Sequence, residues 1–140
     1  MVRIQVDYEG QLRCRATHGP SGRTLHTDAP VDNHGKGESF SPTDLLTTSL
    51  GTCMLTIMGI VAERHGWDLS GASVRLQKVM ESEPVRRVAR IEVDVHVPGE
   101  LDERARKTLE RAAHACPVAA TLGERVETPT RFHWASSPVG

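Results

Sequence analysis

Apolar and polar side chains alternate over residues 2–8, with Val2, Ile4, Val6 and Tyr8 on one side. That period of two predicts a strand. Glu9-Gly10 reads as a turn, and alternation resumes over residues 11–17, where Leu12, Cys14 and Ala16 oppose Arg13, Arg15 and Thr17. Residues 18–22, HGPSG, predict a second turn and residues 23–27 a short third strand, so the first third of the chain reads as a β meander. Residues 28–40 are polar, with Pro30, Gly35 and Gly37, and predict a loop. Such loops often carry function, because a rigid scaffold can hold them over a site.

The period changes at Ser41. Over residues 41–66 Leu46, Leu50, Cys53, Ile57 and Val61 recur at steps of three and four, which predicts a long helix with one apolar stripe. Ser41 is a suitable N-cap, Pro42 suits the first helical position, and Asp44 completes a variant of the capping box. Gly66 is the stop, with Arg64 and His65 in the last turn. A hairpin follows, with Val74, Leu76 and Met80 in one arm and Ile91, Val93, Val95 and Val97 in the other. A second helix is predicted over about 102–115 from Leu101, Ala105, Leu109 and Ala112, a short helical turn over 117–122, and a last strand over 125–134. Residues 135–140 read as a small-residue tail that frays. The pattern is that of a single α+β domain spanning residues 1–140, with no repeat or linker.

Composition narrows the function classes. A chain of 140 residues can bury a real core. A formal net charge of -1 offers no electrostatic case for nucleic acid or an anionic membrane. No uninterrupted apolar run approaches the ~18 residues that a membrane span needs. The start of the chain reads as a strand and not as a leader, so the expected location is the cytoplasm. The three cysteines are then expected to be reduced, and any disulfide to be catalytic or sensing.

The candidate chemistry lies in two of those cysteines. Cys53 sits mid-stripe on the long helix, where a thiol can be a small buried hydrophobe. Cys116 stands at a break between helical segments, immediately before Pro117. The N–H groups that open the next segment lack helical partners there and can stabilise a thiolate. The two are far apart in the chain, so only the fold can pair them. Spacing alone leaves a redox pair and two core residues equally open. Cys14 reads as a packed strand residue. His18, His26 and His34 lack ligand spacing, no zinc or phosphate motif is present, and no cofactor or metal is expected. Phe40 and Trp67 can line an apolar pocket or belong to the core.

The stretch SPTDLLTTSLGTCML, followed later by HACPVAATL, resembles the OsmC/Ohr family of peroxide-reducing proteins. The Pro-x-[Asp/Glu]-Leu opening, the small residues before Cys53 and the Cys-Pro-Val at 116–118 carry the likeness. So does the order of elements, over nearly the whole chain. The loop DNHGKGESF is more similar to the OsmC-like branch than to the organic hydroperoxide resistance branch.

The resemblance implies a thiol peroxidase in which Cys53 attacks a hydroperoxide and Cys116 then forms a disulfide with it. An external dithiol, in the family a dihydrolipoyl protein, would reduce that disulfide. It further implies an arginine that holds the thiolate and an acid that holds the arginine, matched here to Arg13 and Glu38. Arg15 and Arg23 compete for the first role. Thr43 stands where the organic hydroperoxide branch has Glu, which leaves Asp44 as a second candidate for the acid. The implied assembly is an intertwined homodimer with active sites at the interface, and the small residues Ser49, Gly51, Thr52, Thr56 and Gly59 thin the central helix for close approach. The other functional classes open to this sequence are a small-molecule or lipid-binding protein and a redox sensor that uses the same disulfide.

Overall fold

The structure, a computed structural model, describes residues 1–135. The fraying expected beyond Ala135 falls on residues 136–140 and lies outside the described residues. The chain forms two compact units, Met1–Leu46 and Thr47–Gly140.

The first unit is an antiparallel meander of β1 (Ile4–Gly10), β2 (Arg13–His18) and β3 (Thr24–Asp28), in that order. The expected second strand, 11–17, begins late. Gly10, Gln11 and Leu12 all adopt positive φ (84°, 57° and 62°) and make the turn themselves. Leu12 therefore leaves the strand face it was expected to share with Cys14, and its N–H donates to the Tyr8 hydroxyl at 3.2 Å. Ile4, Val6 and Tyr8 do share one face of β1, as their alternation requires, but they are 63%, 60% and 67% exposed. Residues 29–40 form the expected loop, with one short 3-10 turn at Val31–Asn33. The loop is tied back to β3, because Asp28 N–H donates to Phe40 O and Gly37 N–H to Ala29 O.

Helix α1 (Pro42–His65) starts in this unit behind a reciprocal cap. Asp44 N–H donates to Ser41 Oγ at 3.1 Å and Ser41 N–H donates to Asp44 Oδ2 at 2.9 Å. A cap of this kind stabilises a helix by about 1 kcal/mol.

In the second unit β4 (Ser73–Glu81) pairs antiparallel with β5 (Arg87–Val97), and β6 (Thr130–Trp134) returns parallel to β5. Helix α2 (Glu103–His114) is capped by Asp102, and α3 (Pro117–Leu122) follows at once. The core joins Leu50, Met54, Met58 and Ala62 of α1 to Ile91, Val93, Val95 and Val97 of β5 and to Leu109 and Ala113 of α2. The apolar stripe of α1 is thus not quite the one expected. Of that stripe Leu50 is buried, Leu46 is 38% exposed, and Cys53, Ile57 and Val61 lie half-buried at the border. A helix that is apolar around most of its surface gives periodicity little to choose between. Close packing decides instead. A Cβ on Gly51 would lie 2.7 Å from Leu76 Cδ1, so glycine lets α1 approach β4 without displacing the Leu76 side chain.

By length and composition α1 is also long and apolar enough to cross a membrane, although polar residues interrupt its apolar runs. Its Leu50, Met54 and Met58 are instead packed in the core of this unit.

The sheet face opposite the core is polar. There Arg131 Nε reaches Asp94 Oδ1 at 3.0 Å, and the His133 ring nitrogen lies 2.8 Å from the same oxygen. The hydrogen bond from His133 and then the one from Arg131 hold the Asp94 carboxyl below its ordinary range. A carboxylate depressed in the folded state contributes stability above its unfolded pKa and loses it as pH falls through the folded value. Asp94→Asn is therefore expected to be less stable than wild type at neutral pH, with the difference shrinking as pH drops below the ordinary value of 3.8. Denaturant unfolding of both proteins across that range is the measurement. A pH-independent difference would remove the charge from the explanation.

Candidate active site

Two groups of site residues are assembled, one in each unit. In the second unit the fold makes Cys53 and Cys116, both free thiols, neighbours near enough for Cys53 to act on the Cys116 thiol. Cys53 reaches this position from the half-buried border of α1. Cys116 is fully buried at the junction of α2 and α3. Pro117 cannot continue the α2 ladder, so the chain breaks there and Cys116 becomes the N-cap of α3, with φ -67° and ψ 147°. Its Sγ accepts from Ala119 N–H at 3.3 Å.

The expected help from these backbone N–H groups is real but outweighed. Burial raises the Cys116 thiol pKa, the neighbouring Cys53 raises it further, and the Ala119 and Val118 N–H groups oppose both. Cys116 is thereby kept as a thiol. Of the pair it is the one suited to give up a proton late, once an acceptor has formed beside it.

In the first unit Arg13 and Glu38 meet at 2.6 Å, as expected. The same guanidinium lies 3.6 Å from Asp28 Oδ2. Glu38 first, and Asp28 after it, raise the Arg13 pKa further, so the group is a fixed cation. Around them is a cavity of about 240 Å³ lined by Glu9, His26, Asp28 and Glu38, among others. Two of the competing candidates, Arg15 and Asp44, are otherwise engaged. Arg15 makes looser pairs with Asp7 and Glu9, each at 3.8 Å. Asp44 caps α1.

Asp28 is the residue that sequence reasoning missed. Its place follows from the strand register. His18 N–H bonds Arg23 O, and counting back antiparallel from that pair sets Asp28 opposite Arg13. The remaining candidates take ordinary places. Cys14 is half-buried in β2, opposite Tyr8 on one side and Thr27 on the other. Trp67 packs against the core and stacks on His65, while Phe40 is 53% exposed. Among the described residues no three His, Cys, Asp or Glu side chains are placed to hold a metal ion.

The family model described as OsmC-like protein matches residues 35–131, which include both cysteines of the pair and Glu38. The chain belongs to the OsmC-like family. A putative osmotic stress induced and detoxification response protein from Psychrobacter arcticus is 43% identical, with a TM-score of 0.89 over 95% of this chain and 96% of that one. An organic hydroperoxide resistance protein OsmC from Legionella pneumophila is 16% identical, with a TM-score of 0.76 over 95% and 96% of the two chains. The organic hydroperoxide resistance protein OhrB of Bacillus subtilis is 15% identical, with a TM-score of 0.70 over 94% and 97%. No curated protein matches the chain. The α+β order of meander, central helix, hairpin, second helix and final strand is accordingly the OsmC-like fold, as the resemblance implied.

Proposed function

We propose that this OsmC-like protein is a cysteine-based peroxidase that reduces organic hydroperoxides to alcohols. The observation that carries the reading is the placement of Cys53 beside a buried Cys116, whose burial pushes its thiol pKa up. The names of its relatives, with their organic hydroperoxide resistance, point the same way. The Cys53 thiolate attacks one oxygen of the peroxide and breaks the O–O bond. The other oxygen leaves as an alkoxide and takes a proton to become the alcohol, while Cys53 becomes a sulfenic acid. Cys116 then attacks the sulfenic sulfur. Its proton and the sulfenic hydroxyl leave as water, and a Cys53–Cys116 disulfide remains. An external dithiol, of which a dihydrolipoyl protein is one kind, reduces the disulfide by exchange. Such a cycle suits a reducing compartment such as the cytoplasm.

To Arg13 we assign the fixed positive charge on the thiolate, and to Glu38 the acid that holds it. The 2.6 Å pair supports the part that joins Glu38 to Arg13. Cys53 and Ile57 stand half-buried at the border of the apolar core on α1, which favours an apolar peroxide. With dithiothreitol as reductant, the second-order rate constant for cumene hydroperoxide is expected to exceed that for hydrogen peroxide. A ratio at or below one would remove organic peroxides as the preferred class.

The working form in this proposal is the two-fold homodimer. The open face of β1, with Ile4, Val6 and Tyr8, supports it, because a soluble monomer rarely leaves such an apolar face uncovered. Light scattering behind gel filtration is expected to give twice the 15.3 kDa chain mass. Val6→Glu is expected to shift the protein towards the single-chain mass. A wild type that runs as a monomer at micromolar concentration would contradict the dimer.

A further inference from the structure

Arg13 is shared by two carboxylates that differ in every respect that fixes an ion pair. The Glu38 side chain is 59% exposed and stands on a loop, whereas the Asp28 side chain is 2% exposed at the end of a strand. Asp28 faces Arg13 in the β2–β3 register, so the sheet itself holds the two side by side. Asp28 Oδ2 also accepts from Glu38 N–H at 3.0 Å. Its backbone N–H donates to Phe40 O, and Ser39 Oγ donates to His26 O, so the residues that follow Glu38 are sewn to β3. Asp28 Oδ1 and Arg13 Nε are buried without hydrogen-bond partners among the described residues. A buried carboxylate needs a counter-charge far more than an exposed one does, and salt screens the buried pair far less.

We propose that Asp28 is the positioning residue of this site: it anchors Arg13 and the Glu38 loop together, which makes Asp28 the fixed partner of the guanidinium and Glu38 an exchangeable one. The inference rests on the reading of Arg13 as the charge that activates Cys53. Asp28 touches neither thiol nor peroxide in this scheme and acts through Arg13. Glu38 can then leave Arg13, for instance when a peroxide or a reductant approaches, while the guanidinium stays aimed.

The test compares wild type, Arg13→Ala, Asp28→Asn and Glu38→Gln by the pH profile of iodoacetamide alkylation at Cys53, read by peptide mapping. Asparagine keeps an oxygen for Glu38 N–H and loses only the charge. Asp28→Asn is expected to slow alkylation at neutral pH about tenfold and to move the profile to higher pH, in the direction of Arg13→Ala, since tenfold corresponds to one pKa unit. Glu38→Gln is expected to slow it by about threefold or less, the scale of an exposed pair. An Asp28→Asn protein with the wild-type profile overturns the inference, and so does a Glu38→Gln effect as large as that of Asp28→Asn. An Arg13→Ala protein with the wild-type profile overturns it too. If Asp28→Asn does not fold, salt decides on the wild type. Alkylation is expected to change less than about threefold between about 0.05 M and about 1 M sodium chloride, and a larger loss would make the exposed Glu38 the anchor. Failure of wild-type Cys53 to react with cumene hydroperoxide would overturn the peroxidase reading separately, because the alkylation arm still measures Asp28.

Discussion

In Cys53→Ser protein, consumption of cumene hydroperoxide with dithiothreitol is expected to fall to background, a loss of roughly three orders of magnitude or more, as when a catalytic nucleophile is removed. A serine hydroxyl is not ionised at neutral pH and cannot form a sulfenic acid, so the first bond-breaking step disappears. The fold should survive. Cys53 is only half-buried, and the core contacts of α1 are made by Leu50, Met54 and Met58. Circular dichroism and the mass in solution should match wild type. An active Cys53→Ser protein would sink the mechanism, since Cys116 is buried and its thiol is pushed up in pKa.

Cys116→Ser is expected to split the cycle and not to abolish its first step. Cys53 should react once at close to the wild-type rate and then stop. The next step needs the Cys116 sulfur, which forms the disulfide and releases water. Mass spectrometry after one equivalent of peroxide should find Cys53 carrying one added oxygen, and more oxygens with excess peroxide. Steady-state turnover with a dithiol should drop at least about tenfold, the smallest effect consistent with a lost covalent step. Serine suits this position structurally, because it is a preferred N-cap and Ala119 N–H remains as donor. If Cys53 fails to accumulate the singly oxidised form, Cys116 is not the group that normally removes it.

Most of the secondary structure was legible because it follows from period and punctuation. Alternation at Ile91, Val93, Val95 and Val97 marks β5, and all four are buried. Ser41, Pro42 and Asp44 mark the start of α1 to the residue. The errors arose where local pattern competes with packing or backbone conformation. Leu12 alternates like a strand residue, yet it takes a positive φ in a turn. The buried stripe of α1 runs through Met54 and Met58 because Gly51 lets that side of the helix approach Leu76. The cysteine pair was legible only through resemblance, since no spacing rule joins residues so far apart. Arg13 and Glu38 followed from the same source. Asp28 did not, because its role comes from strand register, which appears only once the intervening turn is placed.

The central claim is that Cys53 and Cys116 are the redox pair of a peroxidase. The most direct measurement treats the fully reduced protein with one equivalent of cumene hydroperoxide, counts free thiols and maps disulfides by mass spectrometry. The account predicts rapid loss of two of the three thiols, a Cys53–Cys116 link and a Cys14 that stays free. Three thiols surviving the peroxide, or a disulfide that includes Cys14, would contradict it.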